Sequence, residues 1–279
     1  YYRKLTNLPP SCKGAVVYKE NDMNDFIKKI EAGQNPVGTF FEIGSATAAE
    51  CIGRSGFDYI IIDNEHGTFE GESTLDAVRG AELGGITPIV RVREISRASV
   101  MKPLDVGAKG LIIPFVEKVE DVKNVVKWAK YSPIGARGFC PSRKDGWGCD
   151  YPSGEPMDKV MEYWNKEVLV IPQCETEGCL ANIEEIVSMN GVDGIFIGPY
   201  DLSIGLGISG QFDNPDFKNA LERIKNACHK AGKFVIIFNM NPESAPEYFK
   251  EGYDSVTVGL DAAYYIDACK EAVKKAKGL

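Results

Sequence analysis

Apolar and polar positions alternate between two kinds of segment from residue 37 to the end of the chain. The first kind is a short run rich in Val, Ile and Phe, with apolar residues on both faces, which is typical of parallel strands covered by helices. Eight such runs occur, at 37–44, 57–67, 87–94, 109–117, 167–175, 193–201, 233–241 and 254–261. The pattern therefore predicts eight parallel strands.

The second kind of segment carries apolar residues at helical spacing. Val119, Val122 and Val126 fall on one helix face, and Gly residues such as Gly107 and Gly232 stand where helices should end. Further faces are Leu180, Ile183 and Val187; Phe217, Leu221, Ile224 and Cys228; and Ile266, Cys269, Val273 and Ala276. Eight strand–helix units without a break in composition predict one domain over residues 1–279, a (β/α)8 barrel. A doubly wound open sheet is the alternative.

Two segments fall outside this repeat. Residues 1–36 contain one predicted helix, at about 22–32, which could close the bottom of the barrel. Residues 132–166 form a long excursion between the fourth and fifth strands, with a predicted helix that ends near Trp164. Because long excursions of this kind are usually functional, we expect the second segment to belong to the active site.

Composition excludes several classes of partner. The formal net charge of −8 argues against nucleic acid and anionic membranes, although Arg side chains in a cleft could still bind a small anion. The apolar runs are far shorter than the roughly 20 residues of a membrane-spanning helix, and because the first residues lack an apolar stretch we expect no signal peptide. The eight cysteines are scattered, so we predict reduced thiols and a cytoplasmic location.

In a barrel of this type the active site forms at the C-terminal ends of the strands. Polar residues stand at most of the predicted ends: Asp63, Glu65, His66, Arg91, Arg93, Glu94, Gln173, Glu175, Asp201, Asn239 and Asp261. Glu175 and Asp201 lie on neighbouring strands and could share one hard cation, Mg²⁺ or Mn²⁺, completed by water and substrate oxygens. Alternatively, each carboxylate caps a helix or pairs with a lysine.

Two further residues have the chemistry of catalysts. His66, with a carboxylate from Asp63 or Glu65 beside it, could act as a general base, or could simply bind the backbone. Arg91 could bind a substrate carboxylate or stabilise an enolate oxygen, or could form a structural ion pair with Glu94 or Asp63.

One motif is misleading. Residues 205–210 match the GxGxxG pattern of dinucleotide-binding loops, but that fingerprint must lead directly from a strand into a helix. The following residues read as a loop and a helix cap, so we interpret the segment as a flexible loop over the active site.

Several stretches resemble one protein family, in the same order along the chain. They are GFDYIIIDNEHG, TPIVRVRE, VMKPLDVGAKGLIIPFVE, YSPIGARGF, PQCETEGCLANIEEI and GVDGIFIGPYDLSIGLG. From about residue 36 onwards the chain is similar to the HpcH/HpaI family of metal-dependent pyruvate aldolases, which includes the 4-hydroxy-2-oxoheptanedioate and 2-dehydro-3-deoxyglucarate aldolases.

The resemblance implies a role for individual residues. Glu175 and Asp201 match the metal ligands, for Mg²⁺ or Mn²⁺ and possibly Co²⁺, and Arg91 matches the arginine that binds pyruvate. His66 and Asp63 match a His–Asp pair used in proton transfer. Asp105 matches an acidic residue that the family places near the site. The resemblance also implies that backbone N–H groups around Gly198, Pro199, Tyr200 and Asp201 hold the pyruvate carboxylate, and we expect Gln173, at the end of the fifth strand, to bind substrate as well.

The chain also departs from the family pattern. Phe40 replaces a common Trp, Glu42 replaces a small polar residue, and Tyr200 replaces a common Ala. The segment CPSRKDGWGCDY also departs from the usual loop. We expect these positions to lie where the second substrate, an aldehyde, binds or enters.

The resemblance implies a class II aldolase that joins or cleaves pyruvate and an aldehyde, with a 4-hydroxy-2-oxo acid as the substrate. A citrate-lyase-β-like or malyl-CoA-lyase-like enzyme acting on a CoA thioester is an alternative, as is a barrel that binds an oxo acid without catalysis. The family also implies a homohexamer, a trimer of dimers with an exchanged C-terminal helix.

Overall fold

The structure is a computed structural model that describes residues 24–150 and 155–278. Its strands are β1 (Val37–Phe41), β2 (Tyr59–Asp63), β3 (Thr87–Arg91), β4 (Gly110–Ile113), β5 (Leu169–Cys174), β6 (Gly194–Ile197), β7 (Phe234–Asn239) and β8 (Ser255–Leu260). Each strand pairs in parallel with the next, and β8 pairs with β1. The predicted (β/α)8 barrel is thereby confirmed, and this closure excludes the open sheet.

Helices alternate with the strands around the outside of the barrel. They are α1 (Asp25–Glu31), α2 (Ala46–Arg54), α3 (Glu72–Gly84), α4 (Arg97–Asp105), α5 (Val119–Ala129), α6 (Met157–Glu167), α7 (Glu177–Ala181), α8 (Ile183–Ser188), α9 (Pro199–Gly205), α10 (Pro215–Lys230), α11 (Ala245–Lys250) and α12 (Asp261–Lys277). Short 3₁₀ helices cover Arg143–Gly148 and Pro242–Ser244. Among the described helices, none is both long and apolar enough to cross a membrane.

The barrel has two hydrophobic layers because successive strand residues point to opposite faces. In β2, Ile60 and Ile62 belong to the layer between sheet and helices, whereas Tyr59 and Ile61 fill the barrel interior. The same alternation turns Asp63 inward at the strand's end. Inward residues at the C-terminal ends of other strands therefore meet Asp63 at one mouth of the barrel.

Helix α1 closes the opposite end. The Phe26 ring is fully buried, with its centroid 5.1 Å from that of Tyr59 and 5.3 Å from that of Phe234. Asn24 caps this helix and donates to the carbonyls of Lys109 and Glu167. The helix expected at about 22–32 thus begins at Asp25 in the structure, and residues 1–23 of the N-terminal extension lie outside the described residues.

Three local features differ from the sequence predictions. The segment predicted as strand 193–201 ends as a strand at Ile197, because Pro199 starts helix α9. The apolar face through Leu180 and Val187 belongs to two helices that meet at Asn182, whose side chain donates to the Gly178 carbonyl. The helix expected to end near Trp164 continues to Glu167.

The glycine-rich segment 205–210 lies between two helices, α9 and α10, and not between a strand and a helix. The Gly210 N–H donates to the Ser203 hydroxyl, which ties the loop back to α9. The seven described cysteines are free thiols, as predicted, and Cys12 lies outside the described residues.

Candidate active site

Arg91 and Asp63 form a buried ion pair at the mouth of the barrel. They are partners in the register of β3 and β2. Arg91 Nε donates to Asp63 Oδ1 at 2.8 Å, and a terminal Arg91 nitrogen donates to Oδ2 at 2.6 Å. Burial alone would raise the pKa of the Asp63 carboxyl, but the Arg91 guanidinium holds that pKa below its ordinary value. An ionised Asp63 thus fixes the direction of the guanidinium.

The expected pairing of Asp63 with the His66 ring is wrong. Asp63 Oδ1 accepts from the backbone N–H groups of Glu65 and His66, and both of its oxygens accept from Arg91. The carboxylate that faces the imidazole belongs to Glu65, whose Oε2 lies 3.9 Å from His66 Nε2. Because the arginine and the turn occupy Asp63, this residue positions Arg91 and does not orient His66.

Glu65 stands between Arg91 and His66. Its Oε2 lies 3.3 Å from Arg91 Nε, so the arginine is flanked by two carboxylates. Burial raises the pKa of the Glu65 carboxyl, although Arg91 acts in the opposite direction. The His66 side chain is about two thirds exposed, at 66%. It can therefore reach a substrate from the rim of the site.

Glu175 follows β5 and is held on both sides. Its Oε1 accepts the Phe115 N–H at 2.7 Å, and its other oxygen accepts from the Gln173 amide. Phe115 adopts a φ of 53°, a left-handed conformation that is uncommon for a bulky residue and that aims its N–H at the carboxylate. Gly198 makes room on the remaining side, since a Cβ there would lie 2.9 Å from Glu175 Oε2.

Asp201 lies close to Glu175, in the first turn of α9. Burial raises the pKa of the Glu175 carboxyl, and the neighbouring Asp201 carboxylate raises it further. Gln173 is 1% exposed, and its Oε1 has no hydrogen-bond partner among the described residues. Two facing carboxylates and a free buried amide oxygen fit a hard divalent cation such as Mg²⁺ or Mn²⁺.

The protein would supply only part of such a cation's ligands. In residues 24–150 and 155–278, no group of three or more His, Cys, Asp or Glu side chains has the spacing to hold a metal ion. A cation held by Glu175 and Asp201 would therefore keep several positions for water and for substrate oxygens, which is the usual arrangement for Mg²⁺.

A pocket of about 170 Å³ opens beside these groups. It gathers most of the predicted site residues, and it adds several that were not predicted. The predicted ones are Phe40, His66, Arg91, Gln173, Gly198, Pro199, Tyr200 and Asp201. Glu42, expected where the aldehyde binds or enters, also lines the pocket, and the additional residues are Phe196, Phe238, Met240 and Leu260.

Asp105 does not join this pocket within one chain. Its Oδ1 accepts from an Arg137 terminal nitrogen at 2.6 Å, and it lines a separate cavity of about 560 Å³ together with Arg93 and Lys102. That cavity is larger, but Asp201 and the Arg91 guanidinium line the smaller pocket. The expectation that Asp105 lies at the site is therefore not met by a single chain.

The excursion at 132–166 also stays away from the pocket in its described part. None of residues 132–150 or 155–166 lines the pocket. Arg137 ties the excursion to Asp105, and Arg143 pairs with Glu82 and donates to the Val106 carbonyl. These anchors hold the excursion against α3 and α4, so its described residues contribute nothing to the lining of this pocket within one chain, and an active-site role for the excursion stays a prediction.

Glu42 is an acidic residue of the lining to which the sequence assigned no chemical role. Its carboxyl group lies near Asp63, and burial, followed by the Asp63 charge, raises its pKa. The signal was present in the sequence, because residues 38, 40 and 42 continue the inward period of β1. From the sequence, Glu42 was expected where the aldehyde binds or enters, because it departs from the family pattern at that position.

Comparison with known proteins agrees with this geometry. A hydroxypyruvate/pyruvate aldolase of Agrobacterium fabrum is 29% identical over 258 residues, which cover 91% of this chain and 94% of that protein. A 2-dehydro-3,6-dideoxy-6-sulfogluconate aldolase of Pseudomonas putida is 32% identical over 244 residues, covering 87% and 93%. The barrel, its site and these relatives define a carbon–carbon lyase that acts on pyruvate-type substrates.

The family is equally clear. Residues 37–268 match the HpcH/HpaI aldolase/citrate lyase family. The chain belongs to this family. The crystal structure of an HpcH/HpaI aldolase from Desulfitobacterium hafniense DCB-2 superposes with a TM-score of 0.82 at 28% identity, covering 91% of this chain and 96% of that one.

Proposed function

We propose that this protein is a divalent-metal-dependent aldolase that makes or breaks a carbon–carbon bond between pyruvate and an aldehyde. The observation that supports it best is that Arg91 and Asp201 line one pocket, and that Glu175 lies close enough to both for their charges to act on its carboxyl group. A 4-hydroxy-2-oxo acid is the corresponding substrate in the cleavage direction. The physiological cation would be Mg²⁺ or Mn²⁺, held by Glu175 and Asp201.

The residues of the pocket can perform each part of this reaction. A divalent cation would supply a Lewis acid that stabilises negative charge on the keto oxygen of pyruvate. Arg91, aimed by Asp63, adds a fixed positive charge near that oxygen. Gln173 and the backbone of Gly198 to Asp201 line the pocket where the pyruvate carboxylate would bind.

Proton transfer falls to His66 in this proposal. In the synthetic direction the imidazole removes a proton from the methyl carbon of pyruvate, and the resulting enolate carbon attacks the aldehyde carbonyl carbon. The new alkoxide oxygen then takes that proton from the imidazolium, which returns the imidazole to its neutral form. Glu65, 3.9 Å from the ring, stabilises the protonated imidazole that forms in between.

The test is pyruvate release from a 4-hydroxy-2-oxo acid, measured in metal-free protein and after addition of Mg²⁺ or Mn²⁺. The proposal expects release to be lost on chelation and restored by the cation. Full activity in the metal-free protein would refute it. Cleavage of a CoA thioester without action on hydroxy-oxo acids would instead support the citrate-lyase-like alternative, and metal binding without either reaction would support the non-catalytic barrel.

We also propose that the chain forms a cytoplasmic homohexamer. The supporting observation is helix α12, whose Tyr265, Ile266 and Val273 are exposed in a single chain. A second copy would remove this apolar surface from water. Light scattering coupled to size-exclusion chromatography tests the assembly, since a monomer at micromolar concentration would contradict it.

A further inference from the structure

The pocket has two chemically different sides. Gln173, Gly198 and Asp201 come from the ends of β5 and β6, beside Glu175, and form the side that suits a cation and pyruvate. Glu42 follows β1, which is four strands from β5 and three from β6 around the closed barrel. Its neighbours in the lining, Phe238, Met240 and Leu260 of β7 and β8, are apolar.

Glu42 is fixed in place by its backbone. Its N–H donates to Asp261 Oδ1 at 3.0 Å, and the N–H of Ile43 donates to Asp261 Oδ2 at 2.9 Å. This clamp at the start of α12 holds the end of β1, so that the Glu42 side chain lines the pocket and reaches Asp63. The acidic group is therefore a built feature of the lining and not a mobile surface charge.

The described lining offers no free cationic side chain on this side of the pocket. Among the described residues that line the pocket, the one Lys or Arg is Arg91, and its guanidinium is taken by Asp63 and Glu65. His66 is the other nitrogen base in the lining, and it faces Glu65. An anionic group on the second substrate would thus lie against the Glu42 carboxylate and the Phe238 ring, and no free cationic side chain of the described lining would pair with it.

We propose that Glu42 selects the acceptor aldehyde, so that the enzyme takes short uncharged aldehydes and rejects those that carry a carboxylate, sulfonate or phosphate. The inference rests on the proposed aldolase function and deepens it. Hydroxyaldehydes fit best, because Glu42 can hydrogen-bond a hydroxyl group while Phe238 and Met240 pack against the carbon chain. Among the named substrates of relatives, 2-keto-3-deoxy-L-rhamnonate carries no second anionic group, whereas 6-sulfogluconate derivatives carry a sulfonate.

The experiment compares two acceptors of similar carbon skeleton, glyceraldehyde and glyceraldehyde 3-phosphate, in synthesis with pyruvate. We measure kcat/KM for both in the wild-type protein and in Glu42→Gln and Glu42→Lys. The wild type should prefer the uncharged acceptor at least about tenfold. The preference for the uncharged acceptor should shrink in Glu42→Gln, because the neutral amide no longer repels the phosphate. It should reverse in Glu42→Lys, because the ammonium group attracts the phosphate. Glu70→Gln, the same charge change outside the pocket, should leave the ratio unchanged.

A second readout separates the two proposals. Exchange of the pyruvate methyl protons in D₂O, followed by NMR, requires the cation and the base but no acceptor. If the wild type exchanges these protons but prefers the phosphorylated acceptor, or if Glu42→Lys exchanges them with an unchanged acceptor ratio, the role of Glu42 is overturned while the aldolase function stands. If the wild type exchanges no protons, the aldolase function fails and the inference falls with it.

Discussion

Arg91 donates two hydrogen bonds to Asp63, at 2.8 and 2.6 Å, from a neighbouring strand in register. The pair places a fixed positive charge beside the carboxylates of Glu175 and Asp201, and it does so with almost no exposure to water. Such a charge needs no reorganisation when negative charge develops on a substrate. The relation makes Asp63 a positioning residue and Arg91 the group that would contact the substrate.

Replacing Arg91 by lysine should keep the positive charge but lose the two parallel hydrogen bonds by which Asp63 orients the guanidinium. We expect kcat/KM for pyruvate release to fall by about a hundredfold or more, since one preorganised donor contributes that much in comparable sites. Steady-state kinetics at saturating Mn²⁺ measures the effect, and Arg93→Lys, outside the pocket, is the matched control. Equal losses in the two variants would show that the effect does not arise in the pocket.

Removing the charge of Asp63 should destabilise the fold. In Asp63→Asn the buried Arg91 loses its bidentate partner, and breaking a buried pair in this way costs about 3–5 kcal/mol. Urea unfolding at neutral pH measures the difference from the wild type. A change below about 1 kcal/mol, the range of an exposed pair, would contradict a buried ion pair here.

The same pair predicts a pH dependence. The folded pKa of Asp63 lies below its unfolded value of about 3.9. The stabilisation is therefore fully present above that unfolded value, and it is lost as the pH falls through the lower folded pKa. The stability gap between wild type and Asp63→Asn should be constant from neutral pH down to about 4 and should narrow below it. A gap that already closes between pH 7 and 5 would assign the titration to another group.

Gly198 tests the close approach to Glu175. An alanine at this position keeps an ordinary backbone, with φ of −95°, but its Cβ would lie 2.9 Å from Glu175 Oε2. We expect Gly198→Ala to fold normally and to lose Mn²⁺ affinity at least about tenfold, the range found when groups around metal ligands are disturbed. In the control Gly205→Ala, the new Cβ would meet no described atom closer than 3.4 Å, and the affinity should be unchanged.

The inward period of the strands made much of this site predictable. Because side chains alternate along a strand, Asp63, Arg91 and Gln173 could be assigned to the barrel mouth from spacing alone. The hydrogen-bond partner of the Asp63 carboxylate could not be predicted, because Arg91, His66 and the backbone all lie within its reach. Which of them it binds depends on side-chain geometry across two strands. In the structure, Arg91 donates to both carboxylate oxygens of Asp63, and the carboxylate that faces the His66 ring is that of Glu65.

Longer connections were less predictable. Nothing in the spacing of Arg137 and Arg143 indicates that they contact Asp105 and Glu82, which are distant in sequence and hold the excursion away from the pocket. The start of α9 was accessible in principle, because Pro199 suits the first turn of a helix and stands directly after a strand. A helix predicted to start at Pro199 would have placed Asp201 in its first turn, where the structure has it, and not at a strand end.

The central claim is one cation shared by Glu175 and Asp201, with Arg91 facing the bound oxo acid. Anomalous diffraction from crystals soaked with Mn²⁺ and pyruvate tests it most directly. The account predicts a single anomalous peak within about 2.0–2.3 Å of oxygens from both carboxylates, with pyruvate between the ion and Arg91. A peak that contacts only one of these carboxylates, or that lies outside the pocket, would contradict it.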